Sequence, residues 1–213
     1  MQAVHTEVAK ILVDIGAVNF TPHAPVTFKS GIVSPVYVDN RIIPYHPDAW
    51  KTVIAGFQAI TDAQSIPFDI IAGIAAAGIP HSAALGYRLG KPSLFIRKEA
   101  KEHGQKKRIE GGDVAEKRVL LVEDLITTGG SSISGVMALR EAGAQVNDCM
   151  AIVSYGFNEA NTAFKQAGVN LHTLTTFPTI LEYAREQGKI SETVLKSVHS
   201  WMQAPHAWGE HNG

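Results

Sequence analysis

The stretch RVLLVEDLITTGGSS, residues 118–132, decides how this chain is read. Four consecutive apolar residues, Val119 to Val122, run directly into two adjacent carboxylates, Glu123 and Asp124, and then into a tract of threonine, glycine and serine. A short continuous apolar run bounded by turn-forming residues is the pattern of a strand buried on both faces, as in parallel sheets. In an open α/β sheet ligands bind beyond the carboxyl ends of the strands, and the acidic pair falls at such an end. The small residues after it let backbone N–H groups converge on an anion, and the N-terminus of the following helix adds partial positive charge. Carboxylates that accept hydrogen bonds from sugar hydroxyls, beside amides that hold a phosphate, suit a sugar phosphate. The plainer alternative is a polar loop in which Ser131 or Ser132 merely caps a helix. The acidic pair in front favours the ligand site.

Outward from this stretch the same grammar repeats. FDIIAG (68–73), SLFI (93–96), VNDCMAIVSY (146–155) and VNLHTLTTF (169–177) read as strands, separated by helices over 79–89, 131–142, 158–167 and 178–187. Buried strands alternating with helices predict an α/β fold with a parallel sheet covered on both faces. Ahead of it, the spacing of Val4, Val8, Ile11, Leu12 and Ile15 predicts an amphipathic helix over 4–15 that stops at Gly16. PVTFKSGIVSPVYVD (25–39) reads as a hairpin turning near Ser30-Gly31, and a helix follows from about 47 to 61. The early helix and hairpin break the rhythm and are expected to form a hood, residues 1–45, on a single domain spanning 1–213. Ser191 is placed as the N-cap of a last helix, with Trp201 and Trp208 in a tail that packs back on the core.

Composition limits the partners. At 213 residues, 45% hydrophobic and 18% charged with a net charge of -1, the chain has a globular composition and no global attraction to nucleic acid or anionic membranes. Any anion site must be a local concentration of positive charge. Cys149 is the single cysteine, which excludes an intrachain disulfide and fits a reducing compartment. Glu7, Lys10 and Asp14 interrupt the N-terminal apolar pattern, so it is not a signal peptide, and no apolar run is long enough to span a bilayer. A cytoplasmic protein with neither nucleic-acid nor membrane partners is expected.

Positive charge concentrates in RKEAKEHGQKKRIEGGDVAEKR (97–118), which holds eight of the nineteen Lys and Arg residues and almost no large apolar ones. A connection this long without structure of its own is usually functional or disordered, and a loop over 97–117 that opens and closes is expected. Its Arg97, Lys98, Lys101 and His103 can neutralise a strongly charged leaving group, with Gly104 and Gly111-Gly112 as hinges. Lys106, Lys107 and Arg108 are read as solvated charge. In FKSGIVSPVYVDNR (28–41), Lys29, Tyr37 and Arg41 stand on the element outside the sheet, where a lysine and an aromatic ring can flank a planar acidic base. GIAAAG (73–78) is a weak match to a dinucleotide fingerprint, because the acidic residue expected about 20 positions on is replaced by Arg97-Lys98. It reads as a small-residue turn that lets backbone approach a ligand. The remaining histidines show no spacing for a structural metal, and no G-x-S-x-G elbow is present.

These residues together carry a resemblance. EDLITTGGS (123–131) resembles the phosphoribosyl pyrophosphate motif of the type I phosphoribosyltransferases. RKEAKEHG (97–104) resembles the catalytic loop of the orotate-specific branch of that family, FKSGIVSPVYVDNR resembles its N-terminal substrate segment, and their order and separation match. The resemblance implies a central, mostly parallel sheet flanked by helices with an N-terminal helix/hairpin hood. It implies transfer of the ribose 5-phosphate group of phosphoribosyl pyrophosphate to orotate, in de novo pyrimidine synthesis. By the same resemblance Glu123 and Asp124 bind the ribose hydroxyls, and Leu125, Ile126, Thr127, Thr128, Gly129, Gly130 and Ser131 surround the 5′-phosphate. Arg97, Lys98, Lys101 and His103 contact pyrophosphate, with Lys101, His103 and Asp124 as the catalytic group. Lys29, Tyr37, Val38 and Thr127 hold orotate, and Arg41, which no family position supplies, is expected to join them at the orotate carboxylate. Mg2+ is implied, bound mainly through the donor and not by a protein metal site. A homodimer with shared active sites is also implied, since in the family this loop covers the neighbouring subunit's site.

Two positions depart from the family. Many members carry an arginine after the strand equivalent to 146–153, where this chain reads SYGF; a Tyr-Lys pair of some members is Ala76-Ala77 here. The alternatives are transfer to another nucleobase and a regulator that binds phosphoribosyl pyrophosphate without turning it over. The Lys/His-bearing loop argues against the second.

Overall fold

A computed structural model describes residues 2–98 and 108–209. The chain runs through α1 (Gln2–Asp14), β1 (Val18–Phe20), β2 (Val26–Thr27), β3 (Val33–Ser34), β4 (Val36–Val38), a 3-10 helix (Asn40–Tyr45) and α2 (Pro47–Ala63). It continues through β5 (Ile70–Ile74), α3 (Gly78–Leu89), β6 (Ser93–Ile96), β7 (Ile109–Glu110), β8 (Arg118–Ile126) and α4 (Gly130–Glu141). The last elements are β9 (Gln145–Ser154), α5 (Asn158–Ala167), β10 (Asn170–Thr176), α6 (Phe177–Glu186) and α7 (Glu192–Gln203).

Six strands form the central sheet in the order β10-β9-β8-β5-β6-β7, parallel except for β7. The near-continuous apolar runs follow from this, since helices bury both faces. Side chains of β8 alternate between two cores. Val119 and Leu121 pack with Val136, Leu139 and Phe164 of α4 and α5. Leu120 and Val122 join Leu12, Phe57, Ile180 and Trp201 on the other face. Each such side chain contributes about 1.5–3 kcal/mol when fully buried. At the amino end of β8 the Arg118 guanidinium grips Asp69 at 2.6 and 3.0 Å, holding β8 level with the segment entering β5.

Three elements differ from the sequence expectation. β8 does not stop at Glu123 but continues to Ile126, because Glu123, Leu125 and Ile126 stay paired with Ala151, Val153 and Ser154 of β9. The segment after Arg97 is not devoid of structure where it is described. Ile109 and Glu110 pair antiparallel with Ile96 and Phe95, and Val114 is buried. Tyr37 and Val38 leave the expected hairpin. That hairpin is β2 with β3, whereas β4 pairs with β1. Each difference rests on a partner strand that local periodicity cannot reveal.

The hood divides into two parts. Val8, Ala9 and Leu12 of α1 are fully buried, and α1 packs against α6 and β10 as part of the layer covering the sheet. The strands β1 to β4 and the 3-10 helix stand beside the carboxyl ends of the sheet. At the other end of the chain, Ser191 accepts a hydrogen bond from Val194 N, and Trp201 and Trp208 are buried as expected. Among the described residues no helix is long and apolar enough to cross a membrane.

Candidate active site

A cleft of about 410 Å³ lies at the carboxyl end of β8, between the loop into α4 and the hood. Its first wall is one continuous segment, Glu123 to Ser132. Glu123 is buried and its Oε1 accepts a hydrogen bond from Asp124 N at 3.1 Å. Burial and the neighbouring Asp124 charge push the Glu123 carboxyl well above its ordinary range. Burial raises Asp124 as well, and the Lys98 charge draws both back. Two carboxyls so confined favour a ligand that brings hydrogen-bond donors or positive charge.

The turn into α4 is fixed by Gly129. Its φ of +81° is left-handed, and a Cβ there would meet Phe164 at 3.1 Å, so glycine alone fits without strain. Gly129 also occupies the N-cap position, where no side chain caps the helix. Ser131 and Ser132 therefore do not cap α4, as the plainer sequence reading had it; they lie in its first turn and line the cleft. The amides at this end remain available to an anion, without an acidic side chain in the first turn to compete.

Ala75, Ala76 and Ala77, between β5 and α3, close the floor. The glycines flanking them serve the backbone rather than the ligand. A Cβ on Gly78 would meet Val122 O at 2.6 Å, and one on Gly73 would meet Gly78 O at 2.7 Å, so α3 can approach β8 only with glycine at 78 and β5 only with glycine at 73.

The second wall is the hood: Val26, Thr27, Phe28, Lys29 and Ser30 from the hairpin, with Tyr37, Val38, Asp39 and Arg41. Arg41 is already engaged. Its Nε donates to Asp39 Oδ1 at 2.6 Å, and its Nη2 donates to Asp39 Oδ2 and to the Tyr37 hydroxyl, each at 2.8 Å. The guanidinium hydrogen bonds hold the Asp39 carboxyl below its usual range. Buried Asn40 joins the two walls, donating from Nδ2 to Asp124 O at 2.9 Å.

Of the residues singled out in the sequence, Lys29, Tyr37, Val38, Arg41, Lys98 and the whole run Glu123 to Ser131 line this one cleft. Arg97 does not; it lines a smaller adjoining cavity that shares Lys29, Lys98, Gly130 and Ser131 with the main one. Lys101 and His103 lie outside the described residues. Sequence reasoning missed Asn40, Asp39 and Phe28. Asn40 meets its partner 84 residues away, so nothing local marks it. Ser154, Tyr155 and Phe157 of the SYGF segment are buried. Tyr155 packs against Phe28, Phe157, Phe177 and Trp201 at ring-centroid distances of 5.1–5.6 Å. Burial pushes both the Tyr155 phenol and the Cys149 thiol upward, which keeps them protonated.

Comparison with known proteins agrees with this geometry. The family model for the phosphoribosyl transferase domain matches residues 46–170. The chain is 42% identical to an orotate phosphoribosyltransferase of Coxiella burnetii, over 95% of this chain and 97% of that one. Its fold is similar to the crystal structure of orotate phosphoribosyltransferase from Aeropyrum pernix, with a TM-score of 0.74 and 29% identity over 86% of this chain and 99% of that one. It is also similar to Leishmania donovani UMP synthase, with a TM-score of 0.80 and 25% identity over 93% of this chain, but it spans only 42% of that longer protein.

Proposed function

This chain belongs to the phosphoribosyltransferase family, among its orotate phosphoribosyltransferases, and from that premise we propose how its cleft works. The enzyme transfers the ribose 5-phosphate group of phosphoribosyl pyrophosphate to orotate, giving orotidine 5′-monophosphate and pyrophosphate in pyrimidine synthesis. One observation supports this reading above the others: a carboxyl pair, buried at Glu123 and half-buried at Asp124, an uncapped helix N-terminus and the cations Lys29, Lys98 and Arg41 all face one cleft.

In the reaction the C1′–O bond to pyrophosphate breaks ahead of C1′–N bond formation, leaving an oxocarbenium-like sugar. Glu123 and Asp124 accept hydrogen bonds from the ribose hydroxyls and fix the ring. The backbone and side chains from Leu125 to Ser131 hold the 5′-phosphate. Lys29, Arg97 and Lys98 stabilise charge developing on pyrophosphate, a preorganised electrostatic contribution of the kind that typically dominates such catalysis. Tyr37 and Val38 flank the base, and Arg41, pre-oriented by Asp39 and Tyr37, offers a cation to the orotate carboxylate together with Thr127.

Mg2+ fits this donor set. The cation is expected to be held mainly by the donor's own oxygens, with the Glu123 and Asp124 carboxyls lining the same cleft, and when bound it neutralises pyrophosphate charge. The chain works as one domain over 1–213, with the strands β1 to β4 and the 3-10 helix as hood and 97–117 as a catalytic loop whose return passes through β7. The resemblance of that loop supports a cytoplasmic homodimer in which Lys101 and His103 complete the neighbouring site.

The test is release of pyrophosphate in the presence of Mg2+ with orotate, adenine, guanine, xanthine or uracil offered separately. Release is expected with orotate alone. Asp124→Asn is expected to lower kcat/KM at least about tenfold, since hydrogen bonds to charged groups contribute about 1.5–3 kcal/mol. Release driven by a different base, or by none, overturns the assignment.

A further inference from the structure

A cavity of about 200 Å³ beside the main cleft gathers four cations: Lys29, Arg97, Lys98 and Arg108. Arg108 stands apart because its side chain is bonded to two separate parts of the backbone. Its Nε donates to Arg97 O at 3.0 Å, and its Nη1 donates to Ser134 O at 3.2 Å and Ser134 Oγ at 3.0 Å. Its own carbonyl accepts from Arg97 N at 2.8 Å. Arg97 and Lys98 directly follow β6, whereas Ser134 lies near the start of α4, the helix whose first residues line the cleft. The helix itself is set firmly on the sheet, since a Cβ on Gly135 would meet Ile74 Cδ1 at 2.4 Å. One guanidinium thus ties the segment bearing two cations to the helix that follows the phosphate loop. A rigid planar fork can serve both directions at once, which an ammonium on a flexible stem cannot do as well.

We propose that Arg108 is a positioning residue, setting the distance between the Arg97–Lys98 cations and the amides at the start of α4. This rests on the reading of the cleft as a phosphoribosyl pyrophosphate site. That donor carries phosphate charge at both ends, so its affinity depends on the spacing between the cations and the amides. Orotate touches neither end of the clamp. Misplacement by about 1 Å can cost up to about a hundredfold in a reaction of this kind.

The experiment compares wild type, Arg108→Ala, Arg108→Lys and Ser134→Ala by steady-state kinetics, by calorimetric titration with phosphoribosyl pyrophosphate, and by thermal melting. Arg108→Ala is expected to raise KM and Kd for phosphoribosyl pyrophosphate by about tenfold or more, since it removes the three hydrogen bonds that hold the clamp, leaving KM for orotate unchanged. Arg108→Lys should be as weak as Arg108→Ala, and Ser134→Ala should move in the same direction by a smaller factor. A lysine that restores wild-type affinity overturns the clamp in favour of plain charge. So does unchanged donor affinity in folded Arg108→Ala or, if that variant does not fold, in Ser134→Ala. Failure of the underlying reading looks different: wild type would bind phosphoribosyl pyrophosphate but release no pyrophosphate with orotate, and the affinities of the variants would still decide the role of Arg108.

Discussion

The two walls of the cleft are built in opposite ways. The donor wall is ten consecutive residues, Glu123 to Ser132, that leave the centre of the sheet and enter a helix. Its geometry is inherited from β8, which is paired on both sides by β5 and β9. The base wall is assembled from the β2–β3 hairpin, β4 and the 3-10 helix, two short antiparallel pairings outside the main sheet. Side-chain packing holds it in place: Phe28 packs on Tyr155 and Trp201, and Asn40 reaches across to Asp124 O. The contrast extends to charge, with carboxyls and free amides on one wall and Lys29 and Arg41 on the other. A wall made from the sheet is rigid by construction, whereas one made from packed side chains can be retuned by distant substitutions.

The largest expected effect tests whether the donor wall is an independent unit. Gly129→Ala places a side chain in left-handed backbone, at roughly 1–2 kcal/mol, and also against Phe164. KM for phosphoribosyl pyrophosphate is expected to rise about tenfold or more, since about 1.4 kcal/mol is a factor of ten, while KM for orotate stays put. Equal movement of both constants would break the division between the walls.

An intermediate effect concerns stability. The Glu123 carboxyl is raised above its ordinary value of 4.5 in the fold, so the folded state binds more protons than the unfolded chain from that pH upward. Stability is therefore lost as pH rises through the folded value. Glu123→Gln removes the penalty. The ligand-free variant is expected to melt above wild type at pH 7–8, with the advantage vanishing below pH 4.5, as thermal melts across pH would show. No gain at neutral pH would mean that the pair is not strained in the empty site.

The smallest effect is expected on the base wall. Tyr37→Phe removes one acceptor from Arg41 but leaves both bonds to Asp39. A single hydrogen bond of about 0.5–1.5 kcal/mol predicts a KM for orotate raised by no more than about tenfold, with donor kinetics unchanged. A matching loss of donor affinity would show that the walls are coupled through Asn40.

The donor wall was legible because its chemistry is contiguous. Glu123, Asp124 and the Thr/Gly/Ser tract declare a strand end, a tight turn and a helix start within fifteen residues of sequence. The strand over 93–96 and the helix over 158–167 match their expected limits for the same reason, since short-range periodicity and turn residues mark them. The base wall was legible only as a list of residues. Tyr37 and Arg41 stand out in it, but the bonds that Arg41 makes to both Tyr37 and Asp39 do not, nor does the removal of Tyr37 from the hairpin into a pairing with β1. Arg108 reads as solvated charge in the sequence because nothing near it shows that Ser134 lies within reach.

The sequence by itself determined the alternation of strands and helices, the cradle at the end of β8 and the family to which that cradle belongs. These depend on periodicity, turn chemistry and contiguous motifs, all of which act over a few residues. The tertiary structure alone decided that β8 runs to Ile126, that α1 covers the sheet while the strands after it frame the cleft, and that Asn40 and Arg108 join segments far apart in the chain. Such contacts arise only when helices and strands pack into a shared core, because burial selects among many sterically allowed partners and no single segment encodes that choice.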